Sequence, residues 1–184
     1  MTSPDSVSGD ERLRLFLALR LPEPVLDVLE SWQAEHLHGV RIIPRSHLHV
    51  TLAFLGSRPA AELDAIVGEL RAAAADAPAD LRLAPSRYRE TRSVAMLALD
   101  DPGRGATGLA EDVQARLERL RVYRREARPW LPHVTVARFR ERPRLRLEPP
   151  GMGTFVPSDA AAYLSQLHPG GAQYVVLESV GLGG

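Results

Sequence analysis

Two residue types that carry much of protein chemistry are missing from this chain of 184 residues. Cysteine is absent, which excludes disulfides, thiolate nucleophiles and Cys-ligated zinc or iron–sulfur centres. Lysine is absent as well, so all 23 cationic Lys or Arg side chains are arginines. The chain therefore has no P-loop lysine, no Schiff-base lysine and no residue that could form a lysine adenylate.

An excess of charge and a long apolar run are also missing. The formal net charge is zero, so any contact with nucleic acid must come from local patches. No stretch approaches the roughly 20 apolar residues that span a bilayer. Residues 1–11 are polar and lack the basic start and apolar stretch of a signal peptide. We expect a disordered leader over 1–11, one two-lobed domain over 12–182, and a cytoplasmic protein without membrane contact.

The hydrophobic pattern predicts alternating strands and helices, and part of that order occurs twice. The sequence LFLALRL at 15–21 resembles VAMLALD at 94–100, 79 positions further on. A helical pattern follows each stretch, and then a strand that opens with His-Val-Thr, at residues 49 and 133. A duplicated β-α-β lobe explains this order. The other predicted elements are a short strand at 40–43, a helix at 60–75, a strand at 81–84, and a hairpin with strands at 161–167 and 174–182.

The duplicated tripeptide places its polar side chains on one strand face. Residues i and i+2 of a strand point the same way, roughly 6.6–6.8 Å apart. His49 therefore points with Thr51, and His133 points with Thr135, while the intervening valines point into packing. If a pseudo-twofold axis relates the lobes, two imidazoles and two hydroxyls converge on one cleft.

This constellation suits an in-line attack on phosphorus. One imidazole accepts a proton from the attacking water, and the other donates a proton to the leaving oxygen. An unperturbed imidazole has a pKa near about 6.5, so one neutral and one protonated ring can coexist near neutral pH. No metal or other cofactor is required. A zinc site made by His47, His49 and His133 is the alternative that these residues leave open.

The motifs resemble those of the RNA 2′,3′-cyclic phosphodiesterases, once named 2′-5′ RNA ligases, within the two-histidine phosphoesterase superfamily. The matching pieces are RLFLA at 14–18, LHVTLAFLG at 48–56, RPWLPHVTVAR at 128–138 and, more weakly, YVVLE at 174–178. The resemblance implies an α+β fold with two lobes and antiparallel sheets around a central cleft. It also implies His49 as proton donor, His133 as proton acceptor, and opening of a 2′,3′-cyclic phosphate to a 2′-phosphate.

Further residues are candidates for substrate binding. By simple alternation Arg138 does not lie on the His133 face, which favours a solvated strand-end arginine, whereas the resemblance favours phosphate binding. Phe54 and Trp130 are candidates for stacking on a base, with core packing as the alternative for Phe54. Arg128 and Arg140 are candidates for the mouth of the cleft. His36 and His38 are predicted to be solvated cations at the C-terminal end of a helix, and His168 to be a structural residue in a turn.

Four functions remain open from the residues and the resemblance together. The first is metal-independent hydrolysis of RNA ends that carry a 2′,3′-cyclic phosphate, by a monomer. The second is the same chemistry on another cyclic phosphate or a 2′-5′-linked nucleotide. The third is a non-catalytic module that binds RNA ends or nucleotides, against which the two titrating groups argue. The fourth is 2′-5′ ligation, which without lysine could only be the reverse of ring opening.

Overall fold

The computed structural model describes residues 11–183, so the predicted leader lies outside the described residues except for Glu11. The strands are β1 (Arg12–Arg20), β2 (Arg41–Ile42), β3 (His49–Pro59), β4 (Ala84–Glu90), β5 (Val94–Asp100), β6 (His133–Arg138), β7 (Asp159–His168) and β8 (Gly171–Val180). The helices are α1 (Glu23–His36), α2 (Leu63–Ala75) and α3 (Gly105–Arg119), with 3-10 turns at Arg45–His47 and Ala60–Glu62. No helix within residues 11–183 has both the length and the apolar character to cross a bilayer.

One antiparallel sheet of eight strands joins the two halves of the described chain. Its order is β4-β5-β6-β3-β1-β7-β8, and β2 pairs with β6 off this path. The halves meet where β3 pairs with β6, so the motif strand of each half is its innermost strand. The predicted α+β class with pseudo-twofold halves is confirmed, and the sheets of the two lobes form one continuous ladder.

The two faces of this sheet have different partners because side chains alternate along each strand. From β1, Leu15, Leu17 and Leu19 belong to the main core, which also holds apolar residues of all three helices. Phe16 and Ala18 point the other way and form a small cluster with residues of β7. The helices thus cover one face, and the opposite face is left to line cavities.

The strand pairing corrects the alignment of the internal repeat by one residue. Phe16 pairs with Phe54 on β3, and Val94 pairs with Arg138 on β6. Because Phe54 and Arg138 both lie five positions after their motif histidine, Phe16 corresponds to Val94, an offset of 78 and not 79. A shift of one residue exchanges the two faces of a strand, so the correction decides which side chains are equivalent.

Other boundaries differ from the predicted ones for local reasons. Residues 81–84 were expected to form a strand, but β4 begins only at Ala84, and Leu83 makes an isolated bridge with Phe155. The sequence of β4, APSRYRE, has no regular apolar alternation, which is why its pattern is weak. The C-terminal hairpin is confirmed, with its turn at Pro169 and Gly170.

Candidate functional site

The two His-x-Thr motifs meet at the join between the halves. Val50 of β3 pairs with Val134 of β6 in the antiparallel ladder, and both valines are fully buried. This register places His49 across from Thr135 and Thr51 across from His133. All four polar side chains lie on the face opposite the valines, as the predicted pseudo-twofold arrangement requires.

Both imidazoles are oriented in the same way by the backbone two residues earlier. Nδ1 of His49 donates to the carbonyl oxygen of His47 at 2.8 Å, and Nδ1 of His133 donates to that of Leu131 at 2.8 Å. Because a carbonyl only accepts, each bond assigns the proton of the neutral ring to Nδ1. Nε2 is then the nitrogen that exchanges a proton in each ring. In His49 it lies 3.0 Å from Oγ1 of Thr51, which donates to it.

The surroundings of His49 favour its neutral form. Its ring centroid lies 4.9 Å from that of Phe16, 6.0 Å from Tyr163 and 5.8 Å from Tyr174. Burial lowers the pKa of His49 to about 4, and the nearby charges of His133, His47 and Arg138 act in the same direction, against the raising effect of the His47 carbonyl. His49 is therefore uncharged in the free protein at neutral pH.

A β-bulge in each motif strand brings a further side chain onto the histidine face. In β3 the pairing skips Leu52, and in β6 it skips Val136. Each skipped residue shifts the alternation by one position, so Phe54 and Arg138 return to the face that carries the histidines. The alternation argument that placed Arg138 off this face was therefore wrong, and the bulge is the physical reason.

Buried glutamines hold the two bulges. Nε2 of Gln33, on α1, donates to the carbonyl of Val136 at 2.9 Å and to that of Ile43 at 3.0 Å. Nε2 of Gln114, on α3, donates to the carbonyl of Leu52 at 2.9 Å. The helix of each repeat thus supports the motif strand of the other repeat. Sequence reasoning missed both glutamines, although a polar residue on the apolar stripe of a helix was a usable signal.

Two cavities open beside the motifs, and each is lined by residues of both halves. The first, about 540 Å³, is lined by Arg14, Phe16, Arg41, Ile42, Ile43, Pro44, His47, His49, Thr51, Phe54, Thr135, Arg138, Ser165, Leu167, Gly170, Ala172 and Tyr174. The second, about 560 Å³, is lined by Thr51, Leu52, Ala53, Phe54, Arg89, Thr91, Val94, Met96, Gln114, Tyr123, Glu126, Arg128, Pro129, Trp130, Leu131 and His133. Thr51 and Phe54 line both cavities, so the two are adjacent at the motifs.

Comparison with known proteins agrees with this geometry. The family model described as the 2′-5′ RNA ligase superfamily matches residues 21–167. The chain belongs to this superfamily. A curated relative from Thermus thermophilus, named RNA 2′,3′-cyclic phosphodiesterase, is 34% identical over 184 residues, covering 94% of this chain and 91% of the relative. An Escherichia coli protein of the same name is 27% identical and covers 91% of this chain and 96% of the relative.

Solved structures of the superfamily share the fold. The crystal structure of Escherichia coli LigT complexed with NADP+ has a TM-score of 0.80 at 27% identity, covering 95% of this chain and all of the other. The complex of LigT with ATP has a TM-score of 0.79 at 25% identity, with the same coverage.

Some residues that were predicted to bind substrate have other contacts in the structure. Nε1 of Trp130 donates to the carbonyl of Thr51 at 3.0 Å, so this side chain braces β3 as well as lining the second cavity. Arg128 lines the second cavity but pairs with Glu126 at 2.7 Å, and Arg140 lines neither cavity. Arg14, Arg41 and Tyr174 line the first cavity and were missed. Arg41 and Tyr174 reach it through the long-range pairing of β2 with β6 and of β1 with β7.

The zinc alternative has no ligand set within residues 11–183, where no group of three His, Cys, Asp or Glu side chains could hold a metal ion. The ring of His47 stacks on that of Tyr174, with centroids 4.3 Å apart. The other histidines lie where they were predicted. His36 and His38 donate to carbonyls near the end of α1, and His168 is the last residue of β7 before the turn.

Proposed function

We propose that this chain hydrolyses RNA 2′,3′-cyclic phosphate ends to 2′-phosphates, with His49 and His133 as the acid–base pair. The observation that carries the proposal is the Val50–Val134 pair, which places two His-x-Thr motifs on one face beside two cavities. The activity named for the relatives from Thermus thermophilus and Escherichia coli supports the choice of substrate.

In the proposed reaction a water oxygen forms a bond to phosphorus, and the bond from phosphorus to the ribose 3′ oxygen breaks. Nε2 of His133 accepts the proton of the water, and Nε2 of His49 donates one to the departing oxygen. Thr51, Thr135 and Arg138 hold the non-bridging oxygens, since hydroxyls and a guanidinium donate to anionic acceptors. Phe54 and Trp130 offer aromatic surfaces to the base.

The lowered pKa of His49 sets a condition on its role as donor. A neutral ring cannot donate from Nε2, so His49 must take up a proton when the anionic phosphate binds beside it. A bound anion stabilises the imidazolium and offsets part of the cost of burial. The same observation favours a second assignment, in which His49 is the acceptor and His133 the donor. A substrate whose leaving group needs no proton distinguishes the two assignments.

The same site is proposed to work without a metal or cofactor. The nucleotide complexes of LigT support nucleotides, and hence another cyclic phosphate or a 2′-5′-linked nucleotide, as alternative substrates. Ligation by reversal of ring opening is proposed only as a side activity. The domain limits of 12–182, the monomeric state and the cytoplasmic location stay predictions.

The direct test is product analysis with an oligonucleotide that ends in a 2′,3′-cyclic phosphate. We expect a 2′-phosphate product in excess EDTA, and a loss of at least about 10²-fold in turnover for His49→Ala and for His133→Ala. His168→Ala is the matched control and should leave turnover unchanged, since His168 lines neither cavity. A folded His49 or His133 variant with near-native turnover would refute the mechanism. Loss in EDTA with rescue by zinc would refute metal independence.

A further inference from the structure

The first cavity concentrates positive charge in a chain whose net charge is zero. Its lining contains three arginines, Arg14, Arg41 and Arg138, and no Asp or Glu. The second cavity differs, because Glu126 pairs there with Arg128. Charge therefore distinguishes the two cavities more sharply than volume does, and only the first is built for a ligand with several negative charges.

Two of these arginines stand directly opposite each other. Arg41 of β2 is the cross-strand partner of Arg138 of β6. Like charges at directly opposite positions are destabilising. Within the part of the chain that the structure describes, no carboxylate lies within 4.0 Å of either guanidinium. An anion bound between them would remove this repulsion.

The hairpin between β7 and β8 holds Arg41 in the cavity. Nη2 of Arg41 donates to the carbonyl of Gly170 at 3.2 Å. A Cβ at Gly171 would clash with the same nitrogen, so the missing side chain leaves room for the guanidinium. The position of Arg41 therefore depends on contacts with residues that are distant in the sequence, as expected of a binding residue whose orientation is set by the tertiary structure.

Arg14 extends the positive lining away from the motifs. It lies on β1, and its Cζ is 4.8 Å from the centroid of the Phe54 ring. Phe54 in the first half occupies the position that is equivalent to Arg138 in the second half. The cavity thus has one guanidinium on a motif strand, that of Arg138, and two on the neighbouring strands, those of Arg14 and Arg41. This spread of positive charge suits a ligand with successive phosphates more than a ligand with a single phosphate.

We propose that Arg14 and Arg41 bind the phosphodiester on the 5′ side of the terminal nucleotide, so that the protein selects RNA chain ends over mononucleosides with the same cyclic phosphate. The proposal rests on the proposed function, which places the reacting phosphate at the motifs and Arg138. A guanidinium donates two parallel bonds to a phosphate, and the next phosphate of the strand is the anionic group that every RNA end has in common.

The test compares kcat/KM for adenosine 2′,3′-cyclic phosphate with that for ApA 2′,3′-cyclic phosphate. We expect the dinucleotide to be preferred by about tenfold or more at low salt, and its rate to fall more steeply with salt, with a slope difference of about 0.7 for one added phosphate contact. Arg14→Gln and Arg41→Gln should each reduce the preference several-fold. Arg92→Gln is the matched control, because Arg92 holds the place of Arg14 in the other half and lines neither cavity.

Equal kcat/KM for the two substrates would overturn the proposal and leave the proposed function standing. Equal losses on both substrates in the variants would also overturn it, because the arginines would then serve the reacting phosphate. A preference reduced by Arg89→Gln and not by the two variants would place the strand in the second cavity. If neither substrate is hydrolysed, the proposed function fails. The role of Arg14 and Arg41 is then tested by binding: they should give ApA 2′-phosphate a lower Kd than adenosine 2′-phosphate, and an equal Kd would overturn the proposal.

A 5′-phosphate could also come from a free nucleotide. Adenosine 5′-monophosphate 2′,3′-cyclic phosphate has that phosphate but no upstream nucleoside. If its turnover equals that of the dinucleotide, the phosphate alone is recognised, which supports the role of the two arginines. If its turnover is no higher than that of adenosine 2′,3′-cyclic phosphate, the proposed role of the arginines is overturned.

Discussion

The two halves of the sheet present the same motif in different surroundings. Each half has a His-x-Thr strand with a bulge after the threonine and an Nδ1 bond to the carbonyl two residues earlier. Around His49, however, β1 supplies Phe16, whereas the corresponding residue beside the other motif is Val94. Duplication preserved the orientation of the two histidines, and the flanking strands gave the two rings different neighbours.

The largest expected contrast between the halves concerns the leaving group. A 4-nitrophenyl phosphodiester releases an anion that needs no proton, so the donor becomes dispensable while the acceptor stays necessary. If His49 is the donor, His49→Ala should lose at least about 10²-fold on the cyclic phosphate and about tenfold or less on the nitrophenyl ester. His133→Ala should lose at least about 10²-fold on both. Steady-state kcat/KM on the two substrates is the measurement.

The opposite pattern, in which His133→Ala is spared on the nitrophenyl ester, would exchange the two roles. Equal losses of both variants on both substrates would mean that neither ring protonates the leaving oxygen.

A smaller effect concerns the pH dependence of stability. Between about pH 4 and 6.5 the unfolded chain binds a proton at His49 that the folded chain excludes, because burial lowers the folded pKa to about 4. Acidification through this window therefore destabilises the fold, by up to about 3 kcal/mol from this residue. His49→Gln should lose less stability than the native protein between pH 7 and 4. Urea unfolding at both pH values measures the difference.

His168→Gln is the control for that experiment and should lose as much as the native protein. An equal loss in His49→Gln would show that His49 titrates in the folded state as it does in the unfolded one.

The smallest predicted difference concerns the glutamines that support the bulges. Gln33→Leu removes a donor from the carbonyl of Val136, which keeps its bond from the Ile43 amide, and from the half-buried carbonyl of Ile43. Gln114→Leu removes the donor to the buried carbonyl of Leu52. Since an unsatisfied buried acceptor costs about 1–3 kcal/mol, we expect each variant to be destabilised by about that amount in urea unfolding, and Gln114→Leu to lose at least as much as Gln33→Leu. A clearly larger loss for Gln33→Leu would mean that packing of α1, and not the hydrogen bonds, decides the cost.

What the sequence could predict was local. His49, Thr51, His133 and Thr135 followed from an alternation of two residues and a repeat, and the structure brings them together. Arg138 did not follow, because Val136-Ala137 has the same apolar pattern whether the strand is regular or bulged.

Long-range pairing explains the other omissions. Arg41 lies beside Arg138 only because β2 pairs with β6, nearly a hundred positions away. Nothing in the two-residue strand indicates its partner, since a pair so short is set by the packing around it. The one-residue error in aligning the repeat has the same origin, because apolar segments of similar composition align almost equally well in either register.

The position of β1 between β3 and β7 has a consequence for the order of assembly. Leu15 pairs with Leu164, 149 positions further along, whereas β4, β5, α3 and β6 form one continuous segment. Closing a long loop costs more entropy than closing a short one, and pairing between distant segments slows folding. During synthesis β1 can pair with β3 early, but its other edge stays open until the C-terminal hairpin with Tyr163 and Tyr174 has been made. We therefore expect the aromatic enclosure of His49 to be completed last, and proton exchange at this imidazole to report the docking of the hairpin.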